Sequence, residues 1–317
     1  MNKILAAGVS ACLASGAALA QQADTLVLPM QYLGVSQPLY TMALQQRNLN
    51  MRGLLPPTEM IQRHGPLITE LEVATKSTSA SAPASVSYEQ KDAPAPFAAV
   101  AGANFEGPGV GMPGFNLTGA PPDTTLAVGP SHVVAWVNSM FAIMTKTGTV
   151  LSLANGNTLF TGVGNLCETS NRGDPILQYD RLADRWVMSQ FAFNVSGGSA
   201  AAPYLQCIAV STTNNPLGAY HRYTITFGST TPNGFNDYGK LGIFPDGYYT
   251  SYNVFAGTPA GLFSGAALCA SDRLKMLVGD PTATTLCAPV TIYGGGGSLL
   301  PADLPAPPVY AKVNPAD

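Results

Sequence analysis

Three aspartates, Asp123, Asp174 and Asp237, each open a short apolar strand that turns and comes back as an aromatic one. The segments read PPDTTLAVGPSHVVAWVNSMF, GDPILQYDRLADRWVMSQF and FNDYGKLGIFPDGYYTSYNVF. Carboxylates at equivalent places of a repeat can meet at one end of a common axis, where they would hold a hard cation such as Ca²⁺. Each can equally accept hydrogen bonds from the amides of its own turn and fix the entry of the strand. A third chemistry is glycoside hydrolysis, which needs two carboxyl groups about 5 to 10 Å apart. Asp174 and Asp237 would then act as nucleophile or base. Glu168, the one Glu after Glu106, would be the acid.

The second strand of each unit carries Trp136, Trp186 or the pair Tyr248 and Tyr249. Alternate residues of a strand face opposite sides, so half of these rings must pack between sheets. Rings left at an end face could stack on a sugar or a peptide side chain. Other chemistries lack their residues. The three histidines, His64, His132 and His221, sit near no Gly-x-Ser-x-Gly elbow, and no phosphate loop, dinucleotide fingerprint or zinc spacing occurs. A sialidase would need a Ser-x-Asp-x-Gly-x-x-Trp turn in its blades, and that turn is absent.

The elements that must position these groups are short, β-prone and separated by turns such as Gly129-Pro130-Ser131, Asn214-Asn215-Pro216-Leu217-Gly218 and Pro245-Asp246-Gly247. The heads recur at intervals of roughly 50 to 60 residues, the length of one propeller blade. The reading is an all-β chain, a partial β-propeller of about three to four antiparallel four-stranded blades. A β-sandwich strings strands in a similar way but needs no shared opening Asp. Residues 123–317 leave room for about three and a half such blades, fewer than the roughly 4 to 8 of a closed ring, so an open edge available for self-association is expected.

Composition agrees. Charged residues make up 10% of the chain, while Gly numbers 33 and Pro 26, which suits turn-rich β-structure. With 15 Lys and Arg against 18 Asp and Glu the net charge is −3, and nothing in it attracts nucleic acid. Residues 1–20 have the order of a secretory leader: Lys3, an apolar run from Ile4 to Leu13, then Ala18-Leu19-Ala20. The run is too short and too interrupted for a membrane span, and no later one qualifies. Residues 21–104 read as an N-terminal arm or linker, with Ala, Ser, Pro and Val dominating 77–103 and a short helix within 37–63. The propeller portion is then 105–317, and the chain is expected to be secreted, periplasmic or at the cell surface. Cys167, Cys207, Cys269 and Cys287 remain after the leader. Four cysteines in an exported chain permit three pairings. Cys167 with Cys207 and Cys269 with Cys287 are favoured, since each would close a loop within or between neighbouring blades.

The stretches PPDTTLAVGPSHVVAWVN, GDPILQYDRLADRWVMSQF, CIAVSTTNNPLGAY, NDYGKLGIFPDGYY and CASDRLKML, within residues 121–277, are together similar to a group of secreted bacterial proteins of propeller type. The resemblance implies a fold and an exported location, and no catalytic residue. It also implies further blades after a segment such as LLPADL at 299–304, hence a chain truncated at its C terminus. The function expected is a binding or scaffold module whose channel mouth meets a glycan or protein at the cell surface. The alternative is a carbohydrate-active hydrolase using the blade-head carboxylates.

Overall fold

A computed structural model of the chain describes residues 25–51, 102–116, 121–228, 234–257, 260–290 and 297–303. The leader at 1–20, most of the Ala/Ser/Pro-rich stretch and the C-terminal residues 304–317 lie outside them. Elements follow in the order β1 (Leu26–Pro29), β2 (Gln31–Val35), α1 (Leu39–Met51), β3 (Thr125–Val128), β4 (His132–Val137), β5 (Met140–Thr145) and β6 (Val150–Asn155). A 3-10 turn at Gly156–Phe160 and α2 (Leu166–Thr169) come next. Then follow β7 (Ile176–Asp180), β8 (Arg185–Ser196), β9 (Ser199–Ser211), β10 (Tyr220–Phe227), β11 (Phe235–Ile243), β12 (Tyr248–Phe255), β13 (Phe263–Ser271), α3 (Arg273–Met276) and β14 (Thr284–Val290).

The chain is all-β, in three antiparallel sheets that do not close on one another. Sheet 1 is the meander β3-β4-β5-β6; sheet 2 is β7-β8-β9-β10 with β2 added beside β10; sheet 3 is β11-β12-β13-β14 with β1 added beside β14. Each repeat unit of the sequence therefore forms one sheet, and its Asp stands at or just before the first strand. Those first strands are neighbours: β3 lies against β7, and β7 against β11. Thr125 Oγ1 donates to the Leu177 carbonyl at 3.3 Å, and Gln178 Nε2 to the Leu241 carbonyl at 2.6 Å.

Two apolar layers separate the sheets. Val134, Trp136, Phe141 and Ile143 of sheet 1 pack with Leu177, Trp186, Met188 and Ala209 of sheet 2. On its other face sheet 2 packs Val187, Phe191, Ile208 and Tyr223 against Ile243, Tyr248, Tyr252 and Cys269 of sheet 3. Sheet 2 is buried on both sides, which is why its strands read as nearly continuous apolar runs rather than alternating ones. The four cysteines form Cys167–Cys207 and Cys269–Cys287. The first ties α2 to β9, and the second joins β13 to β14.

Residues 25–51 correct the expectation of an arm over 21–104. They complete the sheets. The strands β1 and β2, separated by the buried Met30, pair with β14 and β10 and so strap the outer edges of sheets 3 and 2 together. Arg222 of β10 holds the strap by donating to the carbonyls of Leu33, Gly34 and Val35, each at 3.3 Å, and to that of Thr161 at 2.8 Å. The helix α1 sets Leu39, Met42 and Ala43 on one stripe, at the i, i+3, i+4 spacing, and buries it in the layer between sheets 1 and 2. Low charge and short apolar alternation in TLVLPMQYLGV are a strand signal, but one too brief to stand apart from the neighbouring low-complexity sequence.

A buried ion pair joins sheets 2 and 3. Asp180, at the end of β7, is fully buried and accepts from Arg273 Nε at 2.7 Å and Nη2 at 3.1 Å, from Tyr248 Oη at 2.8 Å, and from the amides of Leu182 and Ala183. Arg273 Nη1 donates to the Pro245 carbonyl at 3.0 Å. The stretch 272–278, which has polar flanks in the sequence, is thus a helical turn that aims a guanidinium back across the interface, with Asp272 as its N-cap.

Candidate functional site

The first strands of the three sheets begin at one end of the molecule, and there the strand heads come together. A pocket of about 270 Å³ opens between them, lined by Asp123, Thr125, Gln178, Tyr238, Lys240 and Pro301 among others. The charges of Asp123, Asp174 and Asp237 all act on Tyr238 and on Lys240. Asp174 Oδ2 accepts the Tyr238 amide at 3.2 Å, and Asp123 Oδ2 accepts from Asn138 Nδ2 at 3.1 Å. The Lys240 ammonium folds over the Tyr238 ring, 2.9 Å from its centroid. Burial lowers the pKa of Lys240, and the carboxylates of Asp174, Asp123 and Asp237 oppose that shift. Burial raises the pKa of Tyr238, and the same three charges raise it further.

Local backbone builds this end. Asp123 and Asp174 have φ of 41° and 46°, in the left-handed region that Asp tolerates better than most residues, and Tyr238 has φ of 45°. In β11 the pairing moves from Asp237 opposite Asn253 to Lys240 opposite Ser251, so Tyr238 and Gly239 form a bulge. Gly239 is required there, since a Cβ would fall 2.7 Å from Ile176 Cδ1 and 2.8 Å from the Tyr252 ring. The bulge turns Tyr238 outward, to 40% exposure, over the heads of the neighbouring strands. A bulky residue in this conformation costs about 1–3 kcal/mol, and such strain gathers at ligand sites.

The structure brings Asp123, Asp174 and Asp237 to the same end as Lys240, near enough for their charges to act on it. Among the described residues no three His, Cys, Asp or Glu side chains form a metal-ligand group. Glu168 belongs to another neighbourhood: its two carboxylate oxygens accept the amides of Gly162 and Gly164, each at 2.8 Å, and hold the loop before α2. Trp136, Trp186 and Tyr248, considered as stacking platforms, are sealed between sheets at 2% exposure or less and have no ring face to offer. Tyr249 is half-buried on the outer face of sheet 3, with its hydroxyl donating to Asp246 Oδ2 at 2.9 Å.

Lys240, Tyr238 and Asn138 are the members of the site that sequence reasoning passed over. Their signal was present in part: NDYGKL places a Lys three residues after a strand-head Asp, with a Gly between that permits a bulge. No family model, no curated protein and no solved structure matches the chain. Among the described residues no helix is long and apolar enough to cross a membrane. The two disulfides are compatible with an oxidising, extracellular location.

Proposed function

We propose that this is an exported, propeller-type binding module, akin to the secreted bacterial proteins its repeats resemble, whose contact surface is the end where β3, β7 and β11 begin. The observation that carries the reading is the pocket of about 270 Å³ at the strand heads, which Asp123, Tyr238 and Lys240 line together and where Asp174 Oδ2 holds the Tyr238 amide at 3.2 Å. Fixed acceptors, one ammonium and a partly exposed phenol in a concave, polar setting suit a polyhydroxylated ligand, and a surface glycan is the class we assign. The successive placement of the first strands, β3 beside β7 beside β11, supports the propeller-type arrangement. The hydrolase alternative loses its acid, because Glu168 is committed to the Gly162 and Gly164 amides.

A glycan array probed with the wild-type chain, Lys240→Met and Asp123→Asn tests the assignment. Both residues border the pocket without lying in the apolar layers, so folding should persist in both variants. Specific hits that both substitutions weaken at least about tenfold, equivalent to about 1.4 kcal/mol, are expected. An array without hits, or hits that neither substitution changes, refutes it.

A further inference from the structure

The three first strands do not enclose the strand-head pocket by themselves. Each of β3, β7 and β11 is an end strand of its sheet, and side-chain hydrogen bonds link them in order, Thr125 to the Leu177 carbonyl and Gln178 to the Leu241 carbonyl. The next link leaves the repeat: the Ile243 amide of β11 donates to Asp303 Oδ1 at 2.9 Å. Asp303 belongs to segment 297–303, which two further bonds fix to β12. The Ser298 amide donates to Asn253 Oδ1 at 2.7 Å, and Ser251 Oγ donates to the Leu299 carbonyl. Leu300 and Pro301 of this segment line the pocket together with Asp123, Tyr238 and Lys240. Asp303 lines a second cavity, of about 330 Å³, which shares Leu177 and Gln178 with the first and continues along the same strands to Val128 and Tyr179.

One residue of β11 lets the segment sit there. A Cβ on Gly242 would fall 1.9 Å from the Ala302 carbonyl oxygen and 3.0 Å from Pro301 Cβ. Gly242 is not among the glycines of positive φ, so its backbone conformation would admit a side chain, and only the close approach of the segment excludes one. What the segment adds to the pocket is chemically distinct. Asp123, Tyr238 and Lys240 bring a carboxylate, a phenol and an ammonium, whereas the side chains of Leu300 and Pro301 bring only carbon. A sugar ring is divided in the same way, with hydroxyls around its rim and C–H groups on its faces. Small-ligand sites likewise set a few placed polar groups against an apolar lining.

We infer that segment 297–303 is part of the glycan site: Leu300 and Pro301 are ligand-contact residues that pack on the C–H face of a sugar ring, and Gly242 is the positioning residue that seats them. The inference rests on the glycan reading of the pocket and narrows it. Rings with mostly equatorial hydroxyls leave their faces to C–H groups, so these are the sugars the apolar wall selects.

Pro301→Ser and Gly242→Ala, beside the polar control Lys240→Met, test the inference on the glycan array and by amide hydrogen exchange. Pro301→Ser is expected to weaken the wild-type hits at least about tenfold while the Ile243 amide, still held by Asp303, exchanges as slowly as in the wild type. Gly242→Ala is expected to weaken the hits as much and also to speed exchange at Ile243 and Ser298, because the segment is displaced. Hits that Lys240→Met weakens and that both other variants leave unchanged overturn the inference while the glycan site stands. Wild-type exchange at Ile243 in Gly242→Ala overturns the seating role. An array without wild-type hits overturns the site reading, and the contact role of Leu300 and Pro301 falls with it. If Gly242→Ala fails to fold, Pro301→Ser decides alone, since Pro301 lies outside the apolar layers.

Discussion

Replacing Arg273 with Met should be among the most damaging single substitutions outside the apolar layers. The guanidinium has two hydrogen bonds to Asp180, at 2.7 and 3.1 Å, and the carboxylate is fully buried. Methionine keeps most of the aliphatic volume but removes the countercharge, leaving Asp180 with one phenol and two amides. Breaking a buried pair by removing one partner costs about 3–5 kcal/mol, because the remaining charge stays out of water. For a folded body of this size that is a fall in Tm of roughly 6–20 °C. The double variant Asp180→Leu/Arg273→Met removes both charges and should recover much of the loss, since apolar replacements of a buried pair are often close to neutral. Denaturant titration with the disulfides intact, followed by tryptophan emission, measures all three. Trp186 lies on sheet 2, so its signal reports the body that the clamp joins to sheet 3. A loss under about 1 kcal/mol for Arg273→Met would show that apolar packing alone holds sheet 3 to sheet 2, and the clamp argument would be wrong. The result also bears on the site, because the clamp joins β7 to the turn after β13, and the heads of β7 and β11 carry Asp174 and Asp237.

Two further outcomes follow from the same structure. Removing Cys167–Cys207, which spans 40 residues, should destabilise by roughly 4 kcal/mol, and removing Cys269–Cys287, which spans 18, by roughly 3 kcal/mol on the loop-entropy relation; paired Cys→Ala variants melted side by side check the order, and a reversed order refutes it. The amide and hydroxyl of Thr282, each 2.7 Å from Asp280 Oδ1, hold that carboxyl below its ordinary value of 3.8. Its stabilising contribution is complete above the unfolded value and disappears as pH falls through the lower folded one. The melting gap between wild type and Asp280→Ala should therefore be open near about pH 6 and close toward about pH 2, and a gap that does not change with pH counts against this account.

The repeat was legible because each unit writes the same local instruction, a head residue, an apolar strand, a tight turn and an aromatic strand, and local hydrogen bonding enforces it. The strands Tyr220–Phe227 and Tyr248–Phe255 have the limits their patterns indicate. The strap β1–β2 was not legible, since two brief strands gain stability only from the edges of β14 and β10, hundreds of residues away. The site was half legible. Equivalent aspartates stand out in a repeat, whereas Lys240 and Tyr238 occur once and acquire meaning only from the bulge that turns them over those aspartates.

By itself the sequence determined the all-β class and the strands and turns of the repeat, and favoured one of the three possible cysteine pairings, because strands and turns follow from period and turn chemistry along the chain. Tertiary structure decided which rings were buried, which strand heads met, and that a lysine and a tyrosine of β11 stood beside them. Those outcomes depend on how sheets stack, and stacking is set by contacts between residues far apart in the chain, whose spatial order no local pattern encodes.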